Sequence, residues 1–157
     1  MRFVSRITTP ILLATLIACS GDSTGPGQTY ESIAGSYAGI LVGVSQGVAL
    51  DATFSLTITQ TAGDLQGSWA LQGTLDDGFD LYDVQGTGTL NGTINTGNNP
   101  SVNMTIRTAF CPNYQAHFSG AYDSVNRRIT ISGPVEFFAS NTCTVVLSFP
   151  ATIILTR

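Results

Sequence analysis

The chain contains no lysine, a single histidine and a single tryptophan, and only 10% of its 157 residues are charged. About a quarter is usual for a soluble domain. Its six arginines stand against ten carboxylates, for a net charge of −4. No basic stripe can be built from that set. Nucleic-acid binding by phosphate neutralisation is therefore excluded, as is docking to anionic lipid through a polybasic patch. No apolar run reaches the roughly 20 residues that a spanning helix needs. One histidine and three cysteines leave little for a zinc site. No general acid, base and nucleophile can be grouped, so the chain is not read as an enzyme and no cofactor is implied.

What is present begins with an address. Arg2 and Arg6 form a positive segment, and an apolar stretch follows from Ile7 to Ala18, broken by Thr8, Thr9 and Pro10. It is too short to span a bilayer and has the layout of an export signal. The stretch closes on Leu16-Ile17-Ala18-Cys19, which resembles the lipobox of bacterial lipoproteins. The resemblance covers only this N-terminal segment. It implies a signal peptide over residues 1–18, cleavage before Cys19, and lipidation of that cysteine. Several acyl chains on one residue give stable membrane anchoring. Ser20 stands where an aspartate would favour inner-membrane retention, so the resemblance implies an exported, periplasm-facing protein on the outer membrane. Cleavage would leave four arginines against ten acids, a net charge of −6. Residues 19–31 then read as the lipidated cysteine and a polar tether, and residues 32–157 as the folded domain.

Within that domain apolar residues recur with a period of two, the signature of half-buried strands. Val48, Leu50, Ala52, Phe54, Leu56 and Ile58 share one face, with Asp51, Thr53, Ser55, Thr57 and Thr59 on the other. The same division recurs along the chain, from Tyr37 and Leu41 through to the run Val145 to Leu155. It predicts eight strands, separated by short turn-rich segments such as Ser45-Gln46-Gly47 and Ala62-Gly63-Asp64. No segment has a helical period. Short connectors favour an antiparallel meander. Ten of the 17 glycines fall on the apolar face by parity, among them Gly67, Gly86, Gly88 and Gly120. Strong curvature of a closing sheet gives a reason for so many. The expectation is all-β: an eight-stranded antiparallel up-and-down barrel, with a β-sandwich as the alternative. A transmembrane barrel is disfavoured, because its lipobox would be redundant and aromatic girdles are missing.

Parity places Tyr37 and Arg157 on one inward face, where the first and last strands would meet. Gly35-Ser36-Tyr37 with Arg157 resembles the barrel-closing pair of calycin (lipocalin-like) barrels, in which an arginine covers an aromatic ring. Cys111 and Cys143 fall at the rim opposite the tether, and in an exported chain they are expected to form a disulfide. Phe54, Trp69, Met104 and Phe118 point inward, as core or as the wall of a ligand pocket. Asp76, Asp77, Asp80 and Asp83 crowd one stretch, a solvated acidic loop and at most a candidate calcium site. Gly43-Val44-Ser45-Gln46-Gly47 matches a nucleophile elbow, but a strand rather than a helix follows it, so it reads as a hairpin turn. His117 lies on the polar face without a partner for base catalysis.

The expected function is that of a lipid-anchored cell-envelope protein, held to the membrane through its N-terminus. Its barrel would bind or carry a small apolar ligand non-covalently. The alternative is a filled-core interaction or structural module that contacts an envelope protein or polysaccharide. Whether the interior is open or filled discriminates the two.

Overall fold

Side chains that alternate between water and an apolar interior can all be satisfied if the sheet rolls up and its two edges join. The computed structural model, which describes residues 28–139 and 142–157, shows that solution. Every regular element among the described residues is a strand: β1 (Gly35–Ser45), β2 (Val48–Thr61), β3 (Asp64–Asp76), β4 (Leu81–Ile94), β5 (Ser101–Thr108), β6 (Ala116–Asp123), β7 (Arg128–Phe138) and β8 (Val145–Thr156). Each pairs antiparallel with its neighbours in sequence, and Ala38 of β1 pairs with Thr156 of β8 to close the ring. The protein is an eight-stranded up-and-down barrel. The closing pair removes the sandwich alternative, which would leave two separate sheets.

The end of the barrel at which β1 begins, the expected tether end, is filled and sealed. Ile33 is wholly buried, together with Tyr37, Ile58, Leu65, Ile94, Val102, Tyr122, Ile129 and Leu155. The approach to β1 is bonded across this end. The Ile33 amide donates to Gln60 Oε1 at 2.8 Å, and Gln60 Nε2 donates to the Glu31 carbonyl at 3.0 Å. The Tyr30 ring lies against Gly63. The sequence reading put residues 28–31 in the polar tether, but these contacts make residues 30–33 part of the floor of the barrel.

The opposite end is built differently, because two neighbouring strands stop short. β5 and β6 have 8 residues each, whereas β3 has 13 and β4 has 14. Pairing of β4 with β5 ends at Gly88↔Thr108, and pairing of β6 with β7 ends at Ser119↔Ser132. One residue explains where β6 leaves β7. The Tyr122 amide bonds the Pro100 carbonyl, so odd-numbered residues of β6 face β7. Ladder bonds alternate, and the position after Ser119↔Ser132 would therefore join His117 to Pro134. Proline has no N–H to give. Pro112 lies in the turn that follows β5. Residues 81–86 of β4 and 134–138 of β7 thus run on without those neighbours, flanking a side window. At about 4.8 Å per strand, the two flanks stand roughly 14 Å apart.

The β1–β8 seam is the most sparsely bonded pairing. It has one registered pair, helped by Ser45 Oγ donating to the Ser148 carbonyl at 2.7 Å. Pro150 of β8 supplies no donor.

Candidate functional site, a side-opening cavity

The window opens into a cavity of about 720 Å³, within the size range of about 300–1,000 Å³ usual for small-molecule sites. Its inner wall is apolar. Phe54 and Trp69 stack with ring centroids 5.9 Å apart, and Leu71, Ile106 and Phe137 complete much of the rest. Trp69 needs its surroundings to be bare. It pairs with Gly88 on β4, and its ring also faces Gly86, where a Cβ would come to 3.1 Å. Its indole N–H donates across β4 to the Arg107 carbonyl on β5 at 3.0 Å. The spacing Gly86-x-Gly88 is therefore the footprint of one tryptophan. The 18° angle between the Phe54 and Trp69 planes makes them a near-parallel aromatic panel in the wall.

The segment 109–115 lies in the window as a flap. The Ala109 amide bonds the Thr87 carbonyl at 2.9 Å, and the Tyr114 amide bonds that of Cys111 at 2.9 Å. Cys111 is fully buried and forms the expected disulfide with Cys143, with Cα atoms 5.7 Å apart. This bond ties the flap to the approach of β8. The Tyr114 ring meets Phe138 edge-on at a centroid distance of 4.7 Å. Burial first, and then the neighbouring Glu136 carboxylate, push the Tyr114 phenol well above its ordinary range. The outer lip of the cavity carries Asp83 on the β4 flank and Glu136 on the β7 flank.

Of the four residues proposed from sequence as a pocket wall, Phe54 and Trp69 line the cavity. Met104 and Phe118 do not. Both are buried to 2% exposure and are cross-strand partners in the filled half. Phe110, Tyr114, Phe137 and Phe138 also line it; none was singled out from sequence as pocket wall, Phe110 and Tyr114 because the flap belongs to no strand, Phe137 and Phe138 because they end β7, where alternation gives way to a register shift. The flap's signal was a proline beside a cysteine, Cys111-Pro112, in a connector between unusually short alternating runs.

Tyr37 is buried and donates its hydroxyl to the Ile33 carbonyl at 3.0 Å. The Arg157 guanidinium lies against Gly35, where any side chain would collide with it. Burial and the adjacent Tyr122 raise the Tyr37 phenol to about 12, with Arg157 pulling the other way.

The four aspartates do not make a cation site, which corrects the calcium candidate. Asp76 ends β3 and Asp83 lies within β4. Asp77 Oδ1 accepts the amides of Phe79 and Asp80, and Asp76 Oδ1 accepts that of Gly78. These carboxylates serve as turn caps, and the backbone amides hold Asp77 below the usual carboxylate range. Among the described residues no three His, Cys, Asp or Glu side chains converge on a metal position. Ser45 sits at the end of β1 before a turn in which Gln46 and Gly47 both have positive φ, 52° and 82°. That is a hairpin and no nucleophile elbow. His117 Nδ1 lies 3.0 Å from Thr105 Oγ1 on the outer surface. Cys19 and the rest of the lipobox lie outside the described residues. Comparison of the chain with protein-family models, curated proteins and solved structures finds no match.

Proposed function

We propose that the chain is a lipid-anchored envelope protein whose barrel takes a small, largely apolar molecule into the side-opening cavity. One observation carries this reading: the tether end of the barrel is packed solid, while the other end keeps about 720 Å³ behind a disulfide-pinned flap. Burial of an apolar body against Phe54, Trp69 and Leu71 would supply the affinity, at about 25 cal/mol per Å² removed from water before binding costs. Placement in the envelope rests on the export signal and lipobox read from residues 1–19, and the disulfide fits an oxidising compartment.

A second reading has its own observation. Ile40, Val42 and Val44 are 67–74% exposed on the outside of β1. The register Ala38↔Thr156 puts Ile40 beside the exposed Ile154 of β8. This stripe favours an interaction module that docks through its outer surface.

Native mass spectrometry of the protein, exported with its disulfide formed, separates the two. A retained small-molecule adduct that leaves on gentle activation supports the ligand carrier. A bare species that also takes up no hydrophobic dye or added lipid overturns it in favour of surface docking.

A further inference from the structure

The wall chemistry of the cavity narrows what it can hold, and this inference rests on the ligand-carrier reading above. We infer that its ligand is an amphiphilic ammonium, with an alkyl or aryl body inside the barrel and a positively charged head at the window. Three observations converge on that class.

Among the described residues the carboxylates that line the cavity are Asp83 and Glu136, and no arginine or histidine lines it. They stand on opposite flanks of the window, on β4 and β7. By strand parity both are outward-facing positions, since Val84 and Val135 beside them turn inward. A ligand whose tail reaches the Phe54–Trp69 panel thus has a carboxylate on each flank of its exit, Glu136 also accepting from Ser148 Oγ at 3.4 Å. Aromatic rings surround the same exit: Phe110, Tyr114 and Phe138. Ring faces attract cations and add to the discrimination.

The field of the whole molecule points the same way. The mouth half carries Asp51, Asp76, Asp77, Asp80, Asp83 and Glu136, and Arg107 is its one described cation. Arg127, Arg128 and Arg157 all lie at the tether end, where Glu31, Asp64 and Asp123 offset them. A carboxylate ligand would enter against this field and lose hydration with no cation to meet it. An ammonium of the same length gains at both steps, and a neutral alcohol falls between.

The test uses the full exported chain with its disulfide formed and three probes of equal length: dodecylammonium, dodecanol and dodecanoate. Each is titrated below its micelle concentration. Trp69, the sole tryptophan of the chain, reports occupancy by its fluorescence. The expected order is dodecylammonium, then dodecanol, then dodecanoate, with at least tenfold between the first and the last. The double variant Asp83→Asn with Glu136→Gln should bring dodecylammonium several-fold closer to dodecanol, with its melting curve confirming the fold. Dodecanoate binding as tightly as dodecylammonium overturns the ammonium assignment and leaves the ligand-carrier reading standing. An ammonium preference undiminished in the double variant overturns the placement of the head at the window. If none of the three probes binds, the ligand-carrier reading itself falls and takes the inference with it.

Discussion

Gly67 faces inward on β3, and a Cβ built there would overlap the Thr57 carbonyl and the Ile58 Cα of β2. Backbone cannot swing aside as a side-chain tip can, so Gly67→Ala must push two strands apart. The expected loss is more than about 2 kcal/mol, against no more than about 1 kcal/mol for Gly47→Ala, which carries a φ of +82° but has open space around it. Urea unfolding of the two variants checks the order, and equal losses would show that curvature does not demand glycine at position 67. Tyr37 sets a pH dependence. Its phenol titrates at about 12 in the folded chain against an ordinary 10.0. A raised folded pKa means that this stability is whole below pH 10 and drains away as the pH climbs through about 12. Tyr114 is shifted in the same direction. Melting temperatures taken from pH 8 to 12 should therefore fall across the upper part of that range. In Tyr37→Phe the fall should be shallower, at a cost near neutrality of about 1 kcal/mol for the lost hydrogen bond to Ile33.

At the scale of the strand, the window leaves a mark that alternates along β4. Ile94 donates to Gly63 on the β3 side, while Thr87 accepts from Ala109 on the other. Even-numbered amides of β4 therefore face β3, and odd-numbered ones face β5 or the place where β5 has ended. Hydrogen exchange should find Asp83 and Gln85 fast and Tyr82 and Val84 slow, although all four belong to one strand. Uniform protection would mean that the window is covered by backbone. The flap beside it depends on the Cys111–Cys143 bond, which spans 32 residues. Reduction should cost about 3–4 kcal/mol in the chain-entropy model, and denaturant midpoints with and without reductant would measure it. These features also mark how far sequence could see. Period-two patterning was enough for eight strands and their faces, because every inward position answers to the same apolar interior. By that rule Phe54, Trp69, Met104 and Phe118 were all legible as inward-facing, core or wall, and the structure makes the first two wall and the last two core. What separates the two pairs is which strands stop early. That is settled by Pro134 across from His117, a relation between β6 and β7 that no single stretch of sequence displays. Tyr30 and Ile33 were similarly hidden, since a chain crossing the end of a barrel has no periodicity.

For the molecule as a whole, charge is sorted along the barrel axis, and that sorting has a measurable reach. Long-range attraction at the acidic mouth is screened over about 10 Å at 0.1 M salt and about 3 Å at 1 M. The preference for an ammonium over a carboxylate of equal length should therefore shrink between 0.05 and 1 M salt, while binding of the matching alcohol should not weaken. Discrimination that is independent of salt would assign the effect to direct contact with Asp83 and Glu136 alone. The sparsely bonded seam between β1 and β8 has a consequence of another kind, in the order of assembly. Seven of the eight strand pairings join neighbours in the chain, and hairpins of that kind form in microseconds. The eighth brings together Ala38 and Thr156, 118 residues apart. It has few bonds of its own to offset the entropy of closing so long a loop. The sheet can therefore grow as an open, curling ribbon from any hairpin outward, and become a barrel only when its two ends meet. Until then it is a ribbon with two free edges, and the step that makes it a vessel is also the one that hides those edges from other chains.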